Sequence, residues 1–87
     1  MIKFKRHINV NNQKIETWFG MVIKKKGGRP NVSIYYYTED PSSDLSMHHL
    51  IKANFQSKEE ALRYAVVHMK RLYTELMERQ KEEGENL

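Results

Sequence analysis

Four histidines, His7, His48, His49 and His68, are the side chains best suited to proton transfer or metal ligation in this chain of 87 residues. Their spacing argues against both roles. His48 and His49 are adjacent, so on a strand they point to opposite faces and cannot chelate together. His7 falls opposite Glu16 in the register that a hairpin closed at Asn11-Asn12 imposes, which reads as a surface pair, and His68 borders a helical apolar stripe. The chain has no cysteine, which removes a thiol nucleophile, a thiolate zinc site and a disulfide framework together. Neither a Gly-x-Ser-x-Gly elbow nor a glycine-rich phosphate loop is present. No catalytic residue, cofactor or metal is therefore expected, and the chain reads as a non-enzyme.

Charge and aromatic residues say more. Residues 1–30 hold eight Lys or Arg against one acid, Glu16, a net +7, whereas residues 31–56 carry −2 and residues 57–87 carry −1. Such a one-sided field concentrates anionic partners. Lys24, Lys25, Lys26 and Arg29 crowd around Gly27-Gly28, and Trp18, Tyr35 and Tyr37 alternate with polar residues nearby. Two partner classes fit: DNA or RNA, whose phosphates meet the cations while bases stack on the rings, or an acidic protein surface docking on the same aromatic side chains.

These residues must be placed by strands. Ile2, Phe4, Ile8 and Val10 alternate with Lys3, Lys5, His7 and Asn9, and Asn11-Asn12 tolerates the positive φ of a tight hairpin turn. A second alternating run, Lys14 to Lys25, ends at Gly27-Gly28, and Val32, Ile34 and Tyr36 come after it. Closing the first hairpin at Asn11-Asn12 sets Ile2 against Met21, Phe4 against Phe19 and Ile8 against Ile15. Closing the second at Gly27-Gly28 sets Met21 against Ile34, Phe19 against Tyr36 and Ile23 against Val32. Both registers put the same residues of the middle strand on the apolar face, and a slip by one residue would break that agreement. Arg6 opposite Thr17 is the one polar intrusion, with an arginine stem that can snorkel past the core edge. On the other face Lys5, Trp18 and Tyr37 form one cross-strand row and Lys3, Gly20 and Tyr35 the next, with Lys24 leading to the tip. A structural role for the same residues stands beside the functional one: Lys5 over Trp18 as a cation–π pair, and Tyr35 covering the bare backbone of Gly20.

Glu39 to Asp44 reads as a loop, and Ser46 to Phe55 as a fourth strand whose faces and neighbour its poor alternation leaves unassigned. Ser57-Lys58-Glu59-Glu60 is a capping box opening a helix with Leu62, Ala65, Val66, Met69, Leu72, Tyr73 and Leu76 on one face. Beyond Gln80 the glutamates oppose the helix dipole, so residues 81–87 are expected to fray as an acidic tail. The expected fold is α+β: one domain over residues 1–80, an antiparallel meander of three to four strands with one long C-terminal helix packed on one face. Phe4, Phe19, Met21, Ile34 and Tyr36 should meet Leu62, Val66, Met69 and Leu72. A helix of that length overhangs strands of ordinary size, so Leu72, Tyr73, Leu76 and Met77 are expected to form a homodimer contact. No apolar run approaches the roughly 20 residues of a membrane span, and the N-terminus lacks a signal-peptide core, so a soluble cytoplasmic location is expected.

The segment Phe55-Gln56-Ser57-Lys58-Glu59-Glu60-Ala61-Leu62-Arg63-Tyr64, coming after a sheet, resembles the strand-to-helix junction of small sheet-plus-helix DNA-binding domains. Examples are the arm-binding domains of tyrosine integrases and the AP2 domains of plant transcription factors. The resemblance implies a helix backing a sheet whose other face enters the major groove, with Lys3, Lys5, Trp18, Lys24 and Arg29 facing DNA. The chain differs from that pattern in its additional strand, acidic loop and longer helix. Together these readings lead to a small non-catalytic nucleic-acid-binding protein, or else to an interaction module such as an adaptor or an inhibitor of a nucleic-acid-handling enzyme. The residues expected at either contact are Lys3, Lys5, Trp18, Lys24, Lys25, Lys26, Arg29, Tyr35 and Tyr37.

Overall fold

Asn11 and Asn12 adopt φ of 50° and 63°, and Gly27 and Gly28 adopt 60° and 78°, in the computed structural model, which describes residues 1–85. These left-handed pairs are what a two-residue hairpin turn demands, and they join β1 (Ile2–Val10), β2 (Gln13–Lys26) and β3 (Arg29–Tyr37) into a meander. Both registers are as deduced: Phe4 pairs with Phe19 and Ile8 with Ile15, then Phe19 with Tyr36 and Met21 with Ile34. β4 (His48–Phe55) adds to β3, giving one antiparallel sheet in the order β1-β2-β3-β4, and α1 (Lys58–Glu85) packs across one face. The fold is α+β.

β4 fails to alternate for a physical reason. Its pairing with β3 shifts between Val32 and Ile34 and again between Ile34 and Tyr35. Each bulge inserts an unpaired residue and reverses the facing of the residues beyond it. Ile51 therefore packs on the core while Lys52, its neighbour, also reaches the helix side, its ammonium 5.5 Å from the Phe55 ring centre and 4.9 Å from that of Tyr64. Asn54 sits at the irregularity between Val32 and Ile34, with φ 69°.

The core holds Phe19, Ile34, Val32, Ile8 and Met69, all essentially without exposure, with the Phe4 ring tilted against Phe19 at 5.7 Å between centres. The polar intrusion is resolved locally. Arg6 lays its guanidinium 5.7 Å from the Phe4 ring centre, and the buried Thr17 hydroxyl donates to the Tyr73 oxygen at 3.3 Å.

The helical face differs from the expected one. Ala61, Ala65 and Met69 are its buried centre, flanked by Leu62, Leu72, Tyr73 and Met77, while Val66 is only half-buried and Leu76 is exposed. Steps of four residues turn about 40° past a full helical turn, so the seam rotates along the helix. A seam that rotates suits a sheet whose strands are themselves twisted against one another. The alanines let the helix axis approach the sheet closely.

The expected overhang shrinks as well. β2 has 14 residues, about 46 Å at 3.3 Å each, and the 28-residue helix spans about 42 Å at 1.5 Å each. The first hairpin thus reaches under the helix as far as Met77, whose sulfur accepts from Asn11 Nδ2 at 3.7 Å. Of the four side chains assigned to a dimer contact, Leu72, Tyr73 and Met77 pack on their own sheet and only Leu76 is exposed. The Ser57 hydroxyl caps the helix by accepting from Glu60 N–H at 3.1 Å. Helix continues through Lys81–Glu85, where the dipole argument predicts fraying: Lys81, Glu82, Glu83 and Glu85 are good helix formers, and Gly84 is the one poor one among them. Residues 86 and 87 of that tail lie outside the described residues. Among the described residues, no helix is long and apolar enough to cross a membrane.

Candidate nucleic-acid interface

The helix covers one side of the sheet, and no element of the described residues covers the other. Alternation along β1, β2 and β3 sends Lys3, Lys5, Trp18, Lys24, Tyr35 and Tyr37 to that open side. Lys26 pairs with Arg29 at the tip on the same side, and Lys25, paired with Pro30, belongs by alternation to the opposite side. All the expected cations are exposed, whereas Trp18, Tyr35 and Tyr37 are half-buried.

The rings and cations interlock across strands. Lys5 Nζ lies 5.8 Å from the Trp18 ring centre and 3.6 Å from Glu16 Oε1, so its charge is shared between a π face and a carboxylate. His7 Nε2 lies 3.9 Å from the other oxygen of Glu16, the surface pair expected from the register. Lys3 Nζ sits 5.8 Å from the Tyr37 ring centre rather than beside Tyr35. Gly20 has a cover that sequence reasoning missed. A Cβ there would stand 2.5 Å from Met1 Sδ and 3.0 Å from the Tyr37 ring, and the Tyr37 hydroxyl donates to the same sulfur at 3.0 Å. Met1 and Tyr37, not Tyr35, shield that bare backbone.

β4 contributes two more residues to the open face that the sequence left unplaced. His48 pairs with Tyr37 and Leu50 with Tyr35. The His48 imidazole stands 5.5 Å from the Tyr35 ring and 5.8 Å from that of Tyr37, which makes an aromatic cluster on β3 and β4, with Trp18 of β2 paired to Tyr37 in the register. Only the β3–β4 closure could have revealed this. Thr38 N–H donates to Met47 O at 2.9 Å, and once that pair is known His48 must fall opposite Tyr37.

The two ends of the face differ in charge. At the Gly27-Gly28 end, a groove of about 400 Å³ is floored by Val22, Ser33 and Tyr35 and rimmed by Lys24, Lys25 and Lys26. Its far wall is the pair in which Asn31 Nδ2 donates to Asn54 Oδ1 at 3.1 Å. No carboxylate lines it. At the other end stands the loop with Glu39, Asp40 and Asp44. Asp40 Oδ1 accepts from Ser42 N–H at 2.9 Å and from the Ser42 hydroxyl at 2.8 Å. The Ser42 amide and then the Ser42 hydroxyl hold the Asp40 carboxyl below its ordinary 3.8, with a smaller contribution from the charge on Lys5. Ser43 and Ser46 hydroxyls bond to Glu39, so the loop is compact.

No group of three or more His, Asp or Glu side chains among the described residues is arranged to hold a metal. No protein-family model, curated protein or solved structure matches the chain. The open face itself is therefore the guide to function.

Proposed function

We propose that the chain is a small non-catalytic nucleic-acid-binding protein that works through the open face of its sheet. The observation that carries this reading is the continuity of that face: half-buried Trp18, Tyr35 and Tyr37 run into an acid-free groove at the hairpin tip, where Lys24 and Lys26 stand on the same side. Rings left at a surface keep apolar area in water unless something covers them, and cations left unpaired attract phosphate. Together they supply stacking energy of about 1–3 kcal/mol per base and a counterion-release term.

Trp18 is the only tryptophan and lies on the face, so its fluorescence reports directly. Titration with single-stranded and duplex oligonucleotides at low and moderate salt should give a saturable change that weakens linearly in log–log form as salt rises. No change with either form at micromolar protein overturns the proposal.

A protein partner is the second reading, and exposed apolar side chains favour it. Leu50 on the face is 53% exposed, and Leu45 and Met47 in the adjoining loop are 77% and 63% exposed. An adaptor or inhibitor docked through these residues would hold its partner with little salt dependence.

A further inference from the structure

We propose that the open face takes single-stranded rather than duplex nucleic acid, with phosphates in the Lys24–Lys26 groove and unpaired bases on the platform of Tyr35, Tyr37 and Trp18. This inference rests on the nucleic-acid reading of the face and names the substrate form.

The platform gives the first reason. An aromatic ring stacks on a base only where the base is unstacked from its own neighbours, whereas a duplex turns its bases inward and shows phosphates and groove edges. Tyr35 and Tyr37 are two residues apart on β3, about 6.6 Å, and Trp18 lies beside Tyr37 one strand over, about 4.8 Å away. His48 fills the space between the tyrosines at 5.5 Å and 5.8 Å from their rings. The result is a π surface the size of two or three bases, which is how a four-stranded sheet can take unpaired nucleotides. A duplex docked on the same face would waste it.

The groove gives the second reason. Its lining is rich in residues that carry donors: Lys24 and Lys26 on this side of the sheet, with Ser33 and Tyr35 beside them. Asn54 holds φ 69°, a left-handed conformation that Asn adopts more readily than other side-chain-bearing residues. In that conformation its side-chain oxygen accepts from Asn31, which leaves Asn54 Nδ2 as a further donor at the wall. Donors without competing carboxylates are what phosphate oxygens require. Tyr35 belongs to both sites, lining the groove and bearing the platform, so a phosphate and its neighbouring base can be held by contiguous protein.

Charge sets the direction and limits the length. From Lys24 to Trp18 is six residues of β2, about 20 Å. Beyond it lies the loop of Glu39, Asp40 and Asp44, which repels a phosphate backbone. The strand therefore enters at the Gly27-Gly28 tip and leaves the sheet before the loop.

The test compares a short oligothymidylate, an oligouridylate and a DNA duplex of equal length, read by Trp18 fluorescence across a salt series. Either single strand should bind about tenfold or more tighter than the duplex. Lys24→Gln, Lys25→Gln and Lys26→Gln combined should lower the log–log salt slope for a single strand by roughly 1.4, from about 0.7 for each of the two cations on the open side. Tyr35→Ala should weaken binding on the order of tenfold and leave the slope unchanged. A matched variant on the helix side, Lys70→Gln, Arg79→Gln and Lys81→Gln combined, should move neither. Duplex binding as tight as single-strand binding overturns the inference while sparing the parent reading. So does a hairpin variant that behaves like the helix control. Binding of neither form removes both.

Discussion

The two faces of this sheet are built from the same strands, alternate residues apart, and meet opposite fates. On the covered face Phe19 is fully buried, Phe4 packs against it, and the buried polar group, Thr17, finds Tyr73. On the open face Trp18, one residue away, is half-buried with a lysine over its ring, and Gly20 is screened only by a methionine side chain and a tyrosine edge. The hydrophobic effect explains the first face completely, since its apolar area is removed from water by the helix. It does not explain the second, where aromatic area of the costly kind is left in contact with solvent. The difference teaches where stability ends and binding begins: a side chain buried by its own chain contributes to folding, and one left half-buried has interaction free energy in reserve.

The sharpest way to break that contrast is to truncate neighbours on β2. Phe19→Ala should cost about 3–5 kcal/mol, because the ring is enclosed and a cavity remains. For a domain this small that is a large part of the usual total of about 5–15 kcal/mol, so the urea midpoint should fall steeply. Trp18→Ala should cost about 1 kcal/mol or less in stability while weakening binding by about 1–3 kcal/mol, read by anisotropy of a labelled oligonucleotide. Equal destabilisation by the two variants would mean that Trp18 is structural and that the open face holds nothing in reserve.

The two hairpin tips extend the comparison. Asn11 is tied to Met77 beneath the helix, while a Cβ at Gly28 would meet nothing within 4 Å. Gly28→Ala therefore isolates the backbone cost of φ 78° at about 1–2 kcal/mol. A thermal melt should show that loss, and a neutral result would mean that the tip relaxes out of its turn.

A smaller effect probes the polar exception on the covered face. Thr17→Val keeps the branched shape and removes the hydroxyl that reaches Tyr73, at a cost of about 1 kcal/mol. Tyr73→Phe should cost about the same, and the double variant should cost no more than either alone if the two groups serve only each other. Additive losses in chemical denaturation would show that each oxygen has a separate partner.

How much of this can be read from residues alone depends on how local each cause is. The first three strands were legible because Asn11-Asn12 and Gly27-Gly28 demand positive φ, and because β2 serves both hairpins, so each register tests the other. That same alternation put Lys3, Lys5, Trp18, Lys24, Tyr35 and Tyr37 on one side. β4 was not legible, since two bulges reverse its facing and no residue before Asn54 announces them. His48, Leu50 and Asn54 were lost to the candidate site for that reason. The helical seam was read at the helix's own period, whereas contact follows the sheet beneath it, which admits Ala61 and Met77 and releases Leu76. Tertiary twist overrode a correct local pattern.

The smallest expected effect concerns the acidic end of the open face. The Asp40 carboxylate accepts two hydrogen bonds from Ser42, amide and hydroxyl, which hold its pKa below 3.8 in the folded chain. A lowered folded pKa means that the unfolded chain takes up the proton first. The contribution to stability is therefore present above 3.8 and is lost as pH falls through the lowered folded value. The group is solvent-exposed, so the loss is local: the loop loosens at acid pH while the sheet persists. The Ser42 amide resonance, tracked by NMR through an acid titration, should move with a midpoint below 3.8, and Asp40→Asn should abolish the step. A midpoint at or above that value would mean that Ser42 does not hold the carboxylate. The loop would then be a looser acidic boundary than its hydrogen bonds indicate, and Lys5 would face a diffuse charge in place of a fixed one.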